Sequence, residues 1–303
     1  MSRQVLRLGT RGSALARTQS GQVAAQLAAI GVQCELVNVR TEGDVNAAPL
    51  ASIGGTGVFV TAVRTALVLG DVDVIVHSYK DLPTAPAAGV RLVAVPQREN
   101  PFDALCARDG LRIADLPAGS IVGTGSPRRL AQLSRLRSDL QVKAIRGNVD
   151  TRLGMVTDGA LDAVVLACAG LTRLGRQSEI TEVLDPDVFL PAPAQGALAI
   201  ECRDEAAWYT GALAQLDHAA TRAAVLAERT MLAVLEAGCS APVGALGTVD
   251  GTDLTLTGSV ISVDGSVEIR SLATGSVTAA AAVGTSLAHD LLSRGAGALL
   301  GVR

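Results

Sequence analysis

The run VLRLGTRGSALARTQSGQVAAQLAAIGVQCELVNV, Val5 to Val39, falls into three pieces of different periodicity. VLRL is a short apolar strand, Ser13 to about Ile30 is a helix, and VQCELVNV alternates apolar and polar residues as a strand does. Strand, helix and strand make a βαβ unit, which predicts parallel pairing with the helix packed across the sheet. The pattern continues. Phe59, Val63 and Leu67 recur at helical spacing, and VDVIVHS, Val72 to Ser78, has the β-branched richness of a buried parallel strand.

A second series of the same kind begins near Phe102. It comprises the strand SIVGT, a helix opened by Ser126 and Pro127, the strand VKAI, a helix after Gly147, and the apolar strand DAVVLACA. The segment PAPAQGALAIECR, Pro191 to Arg203, holds a further strand that can return the chain to the first lobe. From His218 the texture changes to a long Ala/Leu helix reaching Glu236. LTLTGSVIS and SVEIRSLAT then alternate around the turn signal Asp264-Gly265, and an Ala/Gly/Ser-rich tail from Gly275 to Gly301 reads as a closing helix. These features predict an α/β protein of two doubly wound lobes, residues 1–96 with 197–214 and residues 97–196, and a small C-terminal α+β domain over 215–303. A chain of 303 residues is too long for one small core, so several compact units are expected.

Composition removes several function classes. The residues are 49% hydrophobic and 18% charged with a formal net charge of -3, so no bulk attraction to nucleic acid or anionic membrane follows. Aromatics make up only 2%, too few for base-stacking platforms. The five cysteines, Cys34, Cys106, Cys168, Cys202 and Cys239, form no C-x-x-C pair and are odd in number, which favours a reduced, cytoplasmic protein. Cys34 and Cys168 fall in predicted strands and Cys106 and Cys202 in short apolar runs, so buried, inert thiols are expected for these four. No secretory h-region and no apolar run of membrane-spanning length occurs, and no His/Cys set offers a metal site.

In open α/β sheets ligands gather beyond the carboxyl ends of the strands. After the first strand comes Gly9-Thr10-Arg11-Gly12-Ser13, after SIV comes Gly123-Thr124-Gly125-Ser126-Pro127-Arg128-Arg129, and after VKAI comes Arg146-Gly147-Asn148. Ser126 suits an N-cap and Pro127 the first helical position, which puts Arg128 and Arg129 in the first turn. A helix start favours acidic side chains, so two arginines there need an anionic partner. Guanidinium forks suit carboxylate and phosphate alike, but no Walker A or strand-following G-x-G-x-x-G is present, so a ligand with several carboxylates fits best.

VHSYKDLPT puts His77, Lys80 and Asp81 at the end of a buried strand. Asp81 is either a turn-former paired with Lys80 or a carboxylate for acid-base work and for stabilising a developing cation, while His77 reads as structural. Cys239, in LEAGCSAPVGA from Leu235 to Ala245, is the thiol placed in a loop. The preceding helix C-terminus raises a thiol's pKa, so an attachment point suits it better than a repeatedly activated nucleophile.

The stretches LRLGTRGSALA, VHSYKDLPT, SIVGTGSPRR, IRGNVDTRL, LACAGLTRLG, PAPAQGALAIECR and ERTMLAVLEAGCSAPVGA, ordered from Leu6 to Ala245, together resemble the porphobilinogen deaminase (hydroxymethylbilane synthase) family. The resemblance implies three domains, the first two hinged like a periplasmic-binding-protein-like pair of lobes with the active cleft between them. It implies a dipyrromethane cofactor, made from two substrate units and held by a thioether to Cys239. Four porphobilinogen molecules would be added with loss of ammonia, and hydrolysis would release the linear tetrapyrrole hydroxymethylbilane from a monomeric enzyme. Every pyrrole carries acetate and propionate arms, which agrees with arginines on several turns.

Residue by residue, the resemblance implies that Arg11, Ser13, Arg146, Arg152 and Arg173 bind carboxylates of the substrate or growing chain, with Gln195 in a substrate-shaping or structural role. Lys80, Asp81, Thr124, Ser126, Arg128, Arg129 and Arg146 match cofactor-holding positions. Asp81 matches the catalytic carboxylate, which would assist ammonia loss, stabilise the positively charged azafulvene and help remove the surplus proton. The chain departs from the family at Thr56 and Thr61, where Lys is common, and at Ala62, where Glu is common, in a segment resembling a mobile lid. Gly125 stands for a frequent Ser and Ala237 for a frequent Gly.

Two other readings explain part of the pattern. A two-lobed solute-binding or effector-sensing module accounts for the lobes and arginines but needs neither the loop cysteine nor a third domain. A nucleotide-dependent transferase lacks its phosphate loop.

Overall fold

The computed structural model of the chain describes residues 4–39, 57–205, 207–238 and 241–301. The chain opens with β1 (Leu6–Thr10), α1 (Ala14–Ala29) and β2 (Cys34–Asn38), and the two strands pair in parallel from Leu6 opposite Cys34 to Thr10 opposite Asn38. Next, α2 (Gly57–Val68) buries Val63 and Leu67, at the spacing expected of them. It leads into β3 (Val74–Ser78), parallel to β1 on its other side, and then β4 (Val90–Ala94).

The second series follows as β5 (Asp103–Ala107), β6 (Ile121–Thr124), α3 (Pro127–Leu136), β7 (Gln141–Ala144), α4 (Val149–Thr157), β8 (Ala163–Ala167), α5 (Cys168–Arg173) and β9 (Glu182–Val183). Then β10 (Leu198–Arg203) inserts antiparallel between β3 and β4, which completes a five-stranded sheet of order β2-β1-β3-β10-β4. The second five-stranded sheet has the order β7-β6-β8-β5-β9, with β5 antiparallel to β8. The remainder is α6 (Thr210–Ala214), α7 (Ala219–Val234), a three-stranded antiparallel sheet of β11 (Val243–Asp250), β12 (Asp253–Ile261) and β13 (Glu268–Ser276), then α8 (Ala280–Ser293) and α9 (Ala296–Leu300).

The second sheet shows why DAVVLACA lacks polar alternation. In β8, Ala163 and Val165 enter one apolar cluster while Val164 and Leu166 enter another, so both faces of the strand are covered. The chain divides into two compact units, Met1–Arg98 with Ala197–Arg222, and Glu99–Gly196 with Ala223–Arg303. The C-terminal segment of the second unit has its own sheet and its own core around Met231, Leu256 and Leu287.

Some details differ from the sequence reading. Residues 215–222, expected with the C-terminal domain, stay with the first unit. There Asp217 accepts the Val95 amide at 2.7 Å, Thr221 accepts the Arg98 amide at 3.1 Å, and Arg222 Nε bonds Asp217 at 2.7 Å. The strand β8 stops at Ala167, so Cys168 opens a helix instead of lying in the strand. Cys34, on the edge strand β2, is half-buried, whereas Cys106, Cys168 and Cys202 are buried; burial pushes the Cys106 thiol up to about 12 and the Cys168 thiol to about 11. No strand was expected at β11, and the tail folds as two helices after β13 instead of one. No helix among the described residues is long and apolar enough to cross a membrane.

Candidate functional site

Strand direction decides which residues share an edge. In the first unit β1 and β3 run in parallel, so Arg11 and Ser13 follow one carboxyl end while Lys80 and Asp81 follow the other. Ser13 caps α1 and its Oγ accepts the Ala16 amide at 3.3 Å. Residues Tyr79–Asp81 form a single 3-10 turn, closed by the Leu82 amide on the Tyr79 carbonyl at 3.2 Å. The turn is anchored to the approach of β10 by the Tyr79 amide on the Ala197 carbonyl at 3.0 Å. Asp81 is exposed at this rim, and Lys80 and Arg11 are half-buried. His77 is buried with Nε2 3.4 Å from Glu201, whose carboxylate also receives Arg64 Nε at 2.9 Å and Nη2 at 2.5 Å. Burial alone would raise the Glu201 carboxyl, but Arg64 and His77 hold it at about 2. The structural reading of His77 thus has a physical partner.

In the second unit β6 is parallel to both β7 and β8, so the turns after them lie on one edge. Thr124 ends β6, and its Oγ1 accepts the Ser126 amide at 3.2 Å. Ser126 caps α3 by accepting the Arg129 amide at 3.4 Å, with Pro127 in the first helical position. Each hydroxyl still has a proton to donate. After β7, exposed Arg146 precedes Gly147, and Asn148 caps α4 by accepting the Thr151 amide at 2.8 Å. Arg152 reaches back so that Nε donates to the Gly147 carbonyl at 2.9 Å. From α5, Arg173 Nη2 donates to the Gly196 carbonyl at 2.7 Å.

Arg128 and Arg129 have the anionic partner that a helix start demands, and it comes from this chain. Asp103 opens β5, which is antiparallel, so its first residue sits opposite Ala167 at the edge where the parallel strands end. Its carboxylate accepts Arg128 Nη2 at 2.7 Å, Arg129 Nε at 3.0 Å, Arg129 Nη2 at 2.7 Å and Gln195 Nε2 at 2.9 Å. The group is sequestered, with exposures of 0% for Asp103, 3% for Arg128, 6% for Arg129 and 1% for Gln195. Burial alone would raise the Asp103 carboxyl, but the two guanidiniums hold it down at about 2. Burial pulls Arg128 below the usual arginine range against the opposing pull of Asp103. Gln195, expected in a structural or substrate-shaping role, directs its amide to Asp103 and, at 2.7 Å, to the Pro101 carbonyl. Asp103 itself escaped the sequence reading; the available signal was an acid opening the otherwise apolar strand DALCA.

Several other arginines are paired with acids. Arg7 and Arg203 share Asp73 at 2.7 and 3.3 Å, Arg108 pairs with Asp162, and Arg137 pairs with Asp139 at 2.6 Å. Arg146 and Arg152 have no carboxylate partner among the described residues, and Arg128 Nε is buried without an acceptor. Burial, and then the like charge of Arg129, pull the Arg152 guanidinium below its ordinary range. Burial does the same to Arg173, opposed by Glu99. Orphaned donors and surplus positive charge at the ligand edge of an α/β sheet fit a polyanionic cofactor or substrate.

Cys239 and Thr56 lie outside the described residues, as does Ser240; beside the cysteine, the Gly238 carbonyl accepts the Ala241 amide at 3.0 Å. Thr61 and Ala62 both lie on α2.

The comparisons with known proteins cover nearly the whole chain. A family model described as "Porphobilinogen deaminase, dipyromethane cofactor binding domain" matches residues 6–210, and one described as "Porphobilinogen deaminase, C-terminal domain" matches residues 222–293. The porphobilinogen deaminase of Thermobifida fusca is 55% identical over 308 residues, covering 98% of this chain and 96% of that protein. Porphobilinogen deaminase 1 of Streptomyces coelicolor is 51% identical over 317 residues, covering 100% of this chain and 99% of that protein. Among solved structures, the methionine-binding protein MetQ is similar with a TM-score of 0.44 at 13% identity, covering 70% of this chain and 89% of that chain.

Proposed function

The chain belongs to the porphobilinogen deaminase family, and from that premise we propose which of its residues perform each part of the family's reaction. It is a transferase of tetrapyrrole biosynthesis that joins four porphobilinogen molecules with loss of ammonia and releases the linear tetrapyrrole hydroxymethylbilane. Its cofactor is dipyrromethane, which when bound supplies the pyrrole terminus onto which new units are joined.

Cys239 holds that cofactor through a thioether. Lys80, Thr124, Ser126, Arg128, Arg129 and Arg146 hold its carboxylate arms by charge and hydrogen bonds. Arg11, Ser13, Arg152 and Arg173, with Arg146, take the carboxylates of porphobilinogen and of the growing product. Gln195 acts from beneath, through Asp103, instead of touching the ligand.

Asp81 is the acid and base. Its carboxylate opposes the positive charge that develops on the substrate as ammonia departs, and it accepts the surplus ring proton after the new carbon-carbon bond forms. The turn that carries it is fixed by backbone bonds to Tyr79 and Ala197, so the carboxylate is positioned without being buried. The observation that carries the polycarboxylate reading of the site is the excess of guanidinium over carboxylate at the strand ends of the second unit, where Arg146 and Arg152 lack an acid among the described residues.

The reading includes a cytoplasmic monomer with no nucleic-acid or membrane partner, in keeping with a net charge of -3 and 2% aromatic residues. Intact mass tests the assignment. The purified protein is expected to exceed its sequence mass by one dipyrromethane, and Cys239→Ser is expected to lack the increment. Asp81→Asn is expected to keep the increment and the fold while turnover of porphobilinogen nearly ceases. An unmodified wild-type chain, or normal turnover by Asp81→Asn, refutes it.

A further inference from the structure

We propose that Asp103 is a positioning residue for the reaction, holding Arg128 and Arg129 in the orientation and charge balance from which they take the carboxylate arms of the cofactor. The inference rests on the cofactor-holding role given to those arginines above. Three observations carry it.

The first is geometry. Asp103 receives Arg129 side-on through Nε and Nη2, and Arg128 through Nη2 at 2.7 Å, so one carboxylate bridges two guanidiniums whose Nη1 groups rest on the Leu190 and Val165 carbonyls. Because Asp103 is 0% exposed, it acts only through the side chains it holds. Gln195 then fixes the carboxylate, donating to it at 2.9 Å while its amide also bonds the Pro101 carbonyl at 2.7 Å.

The second is incomplete satisfaction. A buried ion cluster that serves stability alone matches its charges and satisfies its donors, because an unpaired buried charge or donor is costly. Here one acid faces two guanidiniums, and Arg128 Nε is buried without an acceptor among the described residues. The arginines are therefore held but not neutralised.

The third is the neighbour. Arg152 is near enough for the charge of Arg129 to disfavour its own, and its only side-chain hydrogen bond among the described residues goes to the Gly147 carbonyl. Arg128, Arg129 and Arg152 against Asp103 leave a formal surplus of two positive charges (three minus one). A surplus of this sign suits carboxylate arms of the cofactor and of the incoming substrate. Asp103 thus sets the charge of the site as well as its shape.

The test uses Asp103→Asn, which keeps the side-chain shape and removes the charge, and Gln195→Met, which keeps both ion pairs and removes the side-chain bonds that join Gln195 to Asp103, to the Pro101 carbonyl and to Arg129. Each variant is expressed as the wild type is, and three quantities are read: melting temperature, the fraction of chains carrying the cofactor mass, and kcat and KM for porphobilinogen. Folded Asp103→Asn is expected to show a loaded fraction well below wild type. In the chains that are loaded, kcat is expected to fall by about 10-fold or more with a smaller change in KM, the loss of a charge-assisted contact. For Gln195→Met the expected fall in kcat is about 2- to 10-fold, smaller than for Asp103→Asn because both ion pairs are kept. A folded Asp103→Asn with full loading and wild-type kcat overturns the proposal, because a purely stabilising ion pair would change only the melting temperature. If Asp103→Asn does not fold, Gln195→Met decides, and wild-type loading and kcat there overturn it equally. Absence of the cofactor mass from the wild-type protein would instead mark failure of the functional reading.

Discussion

In Arg152→Gln the guanidinium is lost while an amide nitrogen occupies the position along the side chain where Arg152 Nε stood. That nitrogen can keep the 2.9 Å bond to the Gly147 carbonyl. The perturbation therefore isolates the distal charge. With no carboxylate partner among the described residues, half-buried, and facing the like charge of Arg129, the guanidinium contributes little to the fold. Removing it relieves desolvation and repulsion, so stability is expected to change by less than about 1 kcal/mol, or roughly 2 °C in melting temperature for a chain of this size. Its contribution to function is larger. A hydrogen bond from a charged donor to a substrate carboxylate is worth about 1.5–3 kcal/mol, so kcat/KM for porphobilinogen is expected to drop about 10- to 150-fold. Steady-state kinetics and a thermal melt on the same preparation read both effects. A kcat/KM within about 3-fold of wild type, well under the worth of one charged hydrogen bond, would refute the carboxylate-binding role. A melting temperature lower by more than roughly 5 °C would show instead that the charge was holding the fold.

Acid stability offers a second check. Asp103 and Glu201 are both held at about 2, below unfolded values of 3.8 and 4.5, so their contribution is complete above about pH 4.5 and is lost as pH falls towards 2. At 1.36 kcal/mol per pKa unit each contributes about 2–3 kcal/mol, and urea unfolding at pH 7, 4 and 3 is expected to show a steep decline; a flat profile would contradict the two buried ion-pair networks. In Gly196→Ala, the new Cβ would lie 3.2 Å from the Asn100 carbonyl oxygen and still closer to that of Glu99, at a φ of 86°. Left-handed strain of about 1–2 kcal/mol plus the backbone clash predicts a loss of at least about 2 kcal/mol in denaturant unfolding. The Arg173 bond to the Gly196 carbonyl would be disturbed as well, and an unchanged unfolding midpoint would show that the crossing of these segments has room to spare.

Much of the fold was legible because it is periodic. The βαβ units, the helix opened by Ser126 and Pro127, and the hairpin around Gly265 follow from local spacing and turn chemistry, and the structure has them where they were expected. The strand β11 was not legible. Its sequence, VGALGTVD, is interrupted by glycines, which weaken a strand signal. Gly247 is there because a Cβ would come within 2.9 Å of the Ala224 carbonyl oxygen on α7, a requirement set by a neighbour distant in sequence.

The candidate site divides in the same way. By itself the sequence determined the parallel βαβ architecture, the arginine-bearing turns beyond the strand ends, the carboxylate in SYKDLP and the family, since each depends on residue types at short spacing. It also showed that two arginines at a helix start need an anion. Only the tertiary structure decided that this anion is Asp103, 25 residues before Arg128, because reversing one strand in a parallel sheet brings its first residue to the edge where the others end. Which arginines are neutralised and which remain for a ligand is likewise a property of strand direction and burial, and no local pattern encodes either.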